Sequence, residues 1–383
     1  MPSSPYRDGP ALGDEPTQPL PPLAPSTRYV VPREAPPYYA PPYRPPRAPG
    51  MRRSPIKRIL ITLVILSVII AVAGGALGLH RAVDFGRAIS PQPPLSVRPG
   101  FLSSGRVNLV VLGYGGGTHD GANLTDSLLV ISLNPADGST TLVSVPRDLW
   151  VQIPPDSGQY AKLNAAYQDG LLRGFAGEPA GRAAGGDEAA QKVGDVLGLD
   201  VPYWLTIDFS GFRGLVDALG GVDITVPTGF TAQYPRNDDP RIDASWKIVT
   251  FKPGPQHMNG EQAIEYARAR YVLSPASEGS DFARSLRQQL LLRAILDRAR
   301  QVSAWPRLLG AADALQTSLY TNLSLMELTQ FSRALDLTHA TRVGLTDQNV
   351  LVDAQSNDGQ SILLPANGDW NAIRQYVAGQ LKP

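Results

Sequence analysis

Apolar positions in this chain mostly fall into short runs cut by turn residues, and one run stands apart. Ile59–Leu79 holds 21 residues without a charge. As a helix rising about 1.5 Å per residue it reaches roughly 31 Å, the depth of a bilayer core. Arg52, Arg53, Lys57 and Arg58 precede the run, and His80 and Arg81 follow it. The heavier basic flank on the N-terminal side predicts a single transmembrane helix over 56–80, with the N-terminus cytoplasmic and the rest outside. Ala71-Val72-Ala73 has the small-x-small form of a cleavage site, but more than fifty residues precede the run, which argues for a retained anchor.

Pro91, Pro93, Pro94 and Pro99 mark a membrane-proximal linker over 81–105, and from 106 to 383 the pattern is that of a globular domain. Val107–Leu112 is a continuous β-branched run and predicts a buried strand. Ser127–Leu133 and Thr140–Val145 predict a hairpin across Asn134-Pro135-Ala136-Asp137-Gly138. Further strands are expected at Tyr203–Ile207, Val222–Val226, Trp246–Phe251, Arg342–Leu345 and Ser361–Leu364. Helices are expected at Asp187–Leu197, with Asp187 as N-cap and Gly198 as stop, and at Phe209–Leu219, stopped by Gly220-Gly221. Asn259–Ala267 and Ser324–Leu335 each open with a capping box, Asn259 with Gln262 and Ser324 with Glu327. Asp281 to about Arg300 and Asp369–Leu381 complete the set. The remainder of 228–258 and Tyr271–Ser280 read as loops. Such irregular alternation predicts the α/β class, an α-β-α sandwich around one central mixed β-sheet.

Composition adds exclusions. Residues 1–50 contain sixteen prolines, so residues 1–55 are expected to be a disordered, partly polyproline-II tail. A net charge of +1 gives no global attraction to nucleic acid. The absence of cysteine excludes disulfides and thiolate chemistry, and the four histidines show no H-E-x-x-H spacing.

Candidate chemistry gathers at strand ends. Gly113-Tyr114-Gly115-Gly116-Gly117 follows the first strand but lacks the lysine and the following helix of a phosphate loop. Its glycines serve either close approach to a ligand or a tight turn. Asp126, at a loop–strand junction, suits Mg²⁺ or a turn cap. Arg147-Asp148 closes the hairpin, as a surface ion pair or as an oriented guanidinium. Residues 268–287 hold four arginines and no lysine. Arg284 and Arg287, three apart, share a helix face, while Arg268 and Arg270 face one site if their helix ends near Ala267. Guanidinium forks match phosphate bidentately, so this set predicts an anion site.

The order of several strings then resembles the LytR–CpsA–Psr family of bacterial envelope proteins. These are Asn123–Ser127, Ser144-Val-Pro-Arg-Asp148, Lys162-Leu-Asn-Ala-Ala-Tyr167, Phe209 to Val222, Asn259 to Arg270, and Asp281-Phe-Ala-Arg-Ser-Leu-Arg-Gln-Gln289. The resemblance implies a membrane-anchored phosphotransferase. It would move a glycopolymer from a polyprenyl-diphosphate carrier to a peptidoglycan hydroxyl, outside the membrane, with Mg²⁺. It implies that Arg147, Arg268, Arg270, Arg284 and Arg287 grip the diphosphate, that Gln288 lies beside it, and that Asp126 holds Mg²⁺. Lys162 and Asn164 would be adjacent to the site, and Asp126 and Asp148 are the candidates for a base. Relatives carry a metal-binding aspartate where this chain has Gly115, so Asp120, or else His119, is the expected substitute. Leu286, Leu290, Leu291, Ile295, Phe209 and Phe212 are candidate linings for a lipid tunnel. A diphosphate hydrolase, or a non-enzymatic lipid-binding envelope scaffold, would use the same residues.

Overall fold

A computed structural model describes residues 55–103, 105–174, 179–304, 307, 312, 315–346 and 348–381. Two compact units, 1–62 and 63–383, divide the chain. Of the first, residues 55–62 are described, as helical backbone; the expected tail lies outside the described residues. The apolar run falls within helix α1 (Pro55–Ile89), for which the side chains of 63–68 and 74–89 are described. Among the described residues, no helix is long and apolar enough to cross a membrane.

The second unit is built on a six-stranded sheet. Its strands are β1 (Val107–Tyr114), β2 (Thr125–Leu133), β3 (Thr140–Val145), β6 (Tyr203–Asp208), β12 (Leu319–Thr321) and β13 (Thr341–Gly344), in the order β12-β6-β1-β2-β3-β13. The β1–β6 and β3–β13 pairs are parallel and the other three antiparallel, so the sheet is mixed. The expected hairpin forms between β2 and β3.

Period-two alternation sends the two faces of β1 into different cores. Val110 and Leu112 pack with Val193 and Leu197 of helix α3 (Pro179–Leu197) and Ile373 and Val377 of the last helix, α8 (Trp370–Gln380). Leu109 and Val111 face α6 (Asp281–Ala299) and α7 (Leu325–Ala334) through Leu292, Leu296 and Phe331. Helices therefore cover both faces, as expected.

Both capping boxes form as expected: the side chains of Asn259 and Ser324 accept from the N3 backbone, and those of Gln262 and Glu327 reach back. The helix before Leu197 departs from expectation, because it begins at Pro179 and Asp187 lies inside it. Asp187 accepts instead from the Trp204 indole at 2.7 Å, and Gly186 is where helix and indole meet.

The expected strand β9 (Trp246–Phe251) forms, and the stretches around it that read as loop hold β8 (Phe230–Pro235) and β10 (Gly254–Met258). β8 and β9 join β11 (Tyr271–Ser274), also read as loop, in a three-stranded sheet; β10 pairs with β7 (Val222–Val226). Prolines and polar residues hid β8, the middle strand of its sheet, and β10 from period-two reading. Also unanticipated are the small pair β4 (Trp150–Gln152) and β5 (Tyr160–Lys162), helix α2 (Ala166–Arg173), and β14 (Leu351–Gln355), which pairs with β15 (Ser361–Pro365).

The linker is docked. Arg98 grips the buried Glu327 carboxylate with two side-chain bonds of 2.8 Å, and Met326 N–H donates to the Pro94 carbonyl.

Candidate functional site

The site forms where β1 and β2 part. Gly113 pairs with Ser127 and Tyr114 with Thr125, which leaves Asp126 as the extra residue of a β-bulge. A bulge releases one side chain from the alternation and re-aims it. The glycine loop beyond β1 makes a tight turn: Gly116 and Gly117 have φ of 76° and 81°, and Gly116 N–H donates to the Ala122 carbonyl at 2.8 Å. A Cβ at Gly116 would meet the Asp208 side chain at 2.9 Å.

Three guanidinium groups surround the Asp126 carboxylate. Arg147 Nη1 donates to Oδ1 at 2.5 Å, and Arg270 Nη2 lies 3.7 Å from the same oxygen. Arg268 Nη2 is 3.9 Å from Oδ2. Helix α5 (Gly260–Arg268) ends in time for this, since Ala269 turns extended at φ −52° and ψ 115°. Arg268 is fixed further by Asp238 at 2.7 Å, by the Tyr234 hydroxyl at 2.8 Å, and by stacking on the Phe209 ring at 3.6 Å. Burial, followed by the nearby Arg284 and Arg147 charges, lowers the Arg270 pKa to about 10 despite Asp126 and Asp148. Arg147, Arg268 and Arg270 thus converge on one carboxylate, and guanidinium groups so concentrated suit an anion. Arg147 Nε is buried and makes no hydrogen bond, with Asp148 Oδ2 at 3.4 Å.

Other expected residues hold this group in place. Lys162 donates to Asp148 at 2.8 Å. Burial pushes the Asp148 carboxyl up, but the Lys162 bond and the Arg147 charge outweigh it and leave the pKa below the usual range. A carboxylate so held is a weak base, which favours a positioning role for Asp148. Asn164, also buried, takes the Arg147 carbonyl on its N–H and offers its own carbonyl to the Thr125 hydroxyl. Gln288 accepts from Ser127 at 3.0 Å and donates to the Ala267 carbonyl.

Arg284 and Arg287 part company. Arg284 lines the site with Asp126 and Gln288. Arg287 is 2% exposed, donates to the Ala269 and Glu278 carbonyls at 2.7 and 2.8 Å, and stacks over Phe230. It braces the backbone between Arg268 and Arg270 and does not join the cluster, because its fork is spent on carbonyls.

Asp126, Arg268, Arg270, Arg284 and Gln288 ring the mouth of an apolar cavity of about 270 Å³. Leu109, Val111, Leu129, Leu205, Leu292 and Phe331 are among its walls. Of the expected linings, Phe209, Phe212, Leu291 and Ile295 take part, whereas Leu286 and Leu290 do not.

Asp126 fits a Mg²⁺ site of the kind that uses one carboxylate, substrate oxygens and water. Its side chain is 28% exposed, and its Oδ2 lies 3.9 Å from Arg268 Nη2. Among the described residues no three acids or histidines gather closely enough to hold a metal by themselves. Asp120 is exposed and faces Arg241. The ring standing over Gly115 is that of His119, 3.5 Å from where a Cβ would be. Its Nδ1 bonds the Asp120 carbonyl at 3.0 Å, and its Nε2 is buried without a partner.

The residues that sequence reasoning missed are those that hold Arg268, namely Tyr234 and Asp238. Their strand and turn were read as loop.

TagV of Bacillus subtilis, named a polyisoprenyl-teichoic acid–peptidoglycan teichoic acid transferase, is 32% identical over 204 residues, covering 53% of this chain and 46% of that protein. TagU of Bacillus mycoides, named likewise, is 29% identical over 52% of this chain and 55% of its own. The chain thus spans about half the length of these curated relatives. Among solved structures, Bacillus subtilis TagV superposes with a TM-score of 0.52 at 24% identity, covering 73% of this chain and 99% of that one. Protein gbs0355 of Streptococcus agalactiae gives 0.54 at 24% identity over 74% and 91%. The structure titled "TagT bound to LI-WTA" gives 0.51 at 19% identity over 77% and 96%. These likenesses establish the shared fold. With the LytR_cpsA_psr family model matched from residue 81 to residue 376, the chain belongs to the LytR_cpsA_psr family.

Proposed function

We propose that this protein transfers a glycopolymer from a polyprenyl-diphosphate carrier to a peptidoglycan hydroxyl, as a single-pass membrane protein with its catalytic domain outside. The observation that carries the reading is the arginine cluster around Asp126 at the mouth of an apolar cavity. A polyprenyl diphosphate has the matching form, an apolar chain ending in a concentrated negative charge. Relatives named as teichoic acid transferases support the same class of donor and acceptor.

In this reading the polyprenyl chain enters the cavity, and Arg147, Arg268, Arg270 and Arg284 bind the diphosphate oxygens. Phosphoryl transfer depends mainly on positioning and on stabilising spread negative charge, so fixed guanidinium groups supply most of what is needed. The acceptor hydroxyl oxygen bonds to the phosphorus that carries the glycan as the P–O bond to polyprenyl phosphate breaks. The bond's electrons leave with polyprenyl phosphate, and the hydroxyl proton ends on that phosphate or on solvent. Asp126 orients Arg147 and Arg270 and is the residue that would hold Mg²⁺. Bound there, Mg²⁺ would neutralise diphosphate charge. Lys162 and Asn164 keep Arg147 and Asp148 in register.

The uncharged run Ile59–Leu79 and its basic N-terminal flank support the anchor. So does α1, where Leu63, Val64, Ile65, Leu66, Val68, Leu77 and Leu79 are each at least half exposed.

Incubating the full chain in detergent with a labelled lipid-linked glycan and peptidoglycan fragments tests the function. Label on peptidoglycan supports transfer. Free glycan phosphate would make the protein a hydrolase, and bound but unchanged lipid would make it a scaffold.

A further inference from the structure

A second, shallow cleft borders the arginine cluster on a different side from the apolar cavity. The two hollows share Asp126, Ser127, Arg284 and Gln288 as a common wall. Beyond that wall the cleft is formed by Phe282, Ser285, Gly344 and Thr346. Phe282, two residues from Arg284 on α6, is 64% exposed. Its ring edge comes 3.8 Å from where a Cβ at Gly344 would stand, so it lies against the end of β13. Leu128, Val145, Pro146 and Leu345 also line it, and away from Asp126, Arg147 and Arg284 its walls carry no charge.

We propose that this cleft is the acceptor subsite and takes one sugar ring of the peptidoglycan chain, its C–H face against Phe282. The proposal rests on the transfer reading above and adds the place of the second substrate. A lone exposed aromatic is ordinary on a protein surface. Position gives this one meaning. In-line displacement at phosphorus sets the attacking oxygen opposite the leaving one. The leaving polyprenyl phosphate belongs to the cavity, so the attacking hydroxyl arrives from across the shared wall, where the cleft lies. With its charges confined to the side shared with the arginine cluster, a far side of one aromatic platform, apolar walls and a few hydroxyl groups suits a neutral, polyhydroxylated ring.

The test uses the full chain in detergent and three variants, Phe282→Ala, Phe282→Tyr and Gly344→Val. Gly344 lies in a strand, and its nearest neighbours to a new Cβ are at 3.8 and 3.9 Å, so valine narrows the cleft without a backbone clash. Three quantities are measured: Kd for undecaprenyl diphosphate, Kd for the same lipid bearing one N-acetylglucosamine, and KM for a peptidoglycan tetrasaccharide. Phe282→Ala and Gly344→Val should each raise the tetrasaccharide KM about tenfold, the scale of one aromatic contact, and leave both lipid Kd values within about twofold. Phe282→Tyr should restore the wild-type KM. An unchanged KM overturns the proposal. So does a weakening confined to the sugar-bearing lipid, which would give the cleft to the donor, or an equal weakening of the bare lipid, which would mean that Phe282 merely positions Arg284. Failure of the wild type to bind undecaprenyl diphosphate would instead remove the transfer reading. Tetrasaccharide binding measured without lipid, and lost in Phe282→Ala, would then still uphold a saccharide site.

Discussion

Arg284 and Arg287 stand three residues apart on one helix, and replacing each with methionine should fail in different ways. Arg287 is buried, and its guanidinium serves the Ala269 carbonyl, the Glu278 carbonyl and, at 3.3 Å, the Glu278 carboxylate. Arg287→Met leaves two carbonyls without that donor and one partly buried carboxylate without its cation. Breaking a buried pair costs about 3–5 kcal/mol, and methionine recovers some of this by packing on Phe230, so a loss of about 3 kcal/mol is expected. At roughly 2–4 °C per kcal/mol for a domain of this size, Tm should fall by about 6–12 °C. Arg284→Met should move Tm by less than about 2 °C and weaken undecaprenyl diphosphate binding at least tenfold, the usual cost of one charge-assisted contact. Thermal unfolding by circular dichroism and a binding titration, run well below both transitions, separate the two effects. If Arg287→Met kept its Tm and lost diphosphate binding, the division of labour along α6 would be wrong, and Arg287 would belong to the anion grip.

Three further outcomes follow from particular contacts. Burial raises the Glu327 carboxyl, but the Arg98 hydrogen bonds outweigh it and leave its pKa below the usual range; a depressed folded pKa gives stability that is present above the unfolded value and lost as pH falls through the folded one, so Tm should drop below about pH 4.3, and Arg98→Met should flatten that drop. Gly186→Ala places a Cβ 2.4 Å from the buried Trp204 indole, and thermal denaturation should show a loss of about 1–3 kcal/mol or more. Val111→Phe fills part of the apolar cavity, so affinity for undecaprenyl diphosphate should fall about tenfold or more while isopentenyl diphosphate binds as before; equal affinities for both lipids would exclude the cavity as the chain-binding site.

How far the fold was legible follows from where burial decided the pattern. The central strands β1, β2 and β3 are largely buried on both faces because helices cover both, and an apolar run such as Val107–Leu112 announces that condition. Caps were legible because their chemistry is local: Asn259 with Gln262 and Ser324 with Glu327 satisfy backbone donors whatever the tertiary context. The short strands β8, β10 and β11 were not. β10 reads Gly-Pro-Gln-His-Met and pairs with β7 along one side, so its sequence answers to solvent more than to a core. The start of α3 was misplaced for a related reason. Asp187 has the residue type of a cap, but its carboxylate meets an indole from β6, a partner 17 residues away that no local rule supplies.

The site shows the same division, and it sets what each arginine does. Count and spacing announced a cation cluster, since four arginines without a lysine in 268–287 have no plain reason on a solvated face. Spacing alone paired Arg284 with Arg287, because residues three apart share a helix face. What separates them is the chain crossing that face: the turn at Glu278 and the extended link at Ala269 pass over Arg287 and take up its two terminal nitrogens, whereas Arg284 lines the hollow beside Asp126. The brace in turn fixes the link from which Arg268 and Arg270 reach the same carboxylate. Arg287 therefore shapes the anion site through its backbone, and its loss should reach the diphosphate only by loosening Arg268 and Arg270 together.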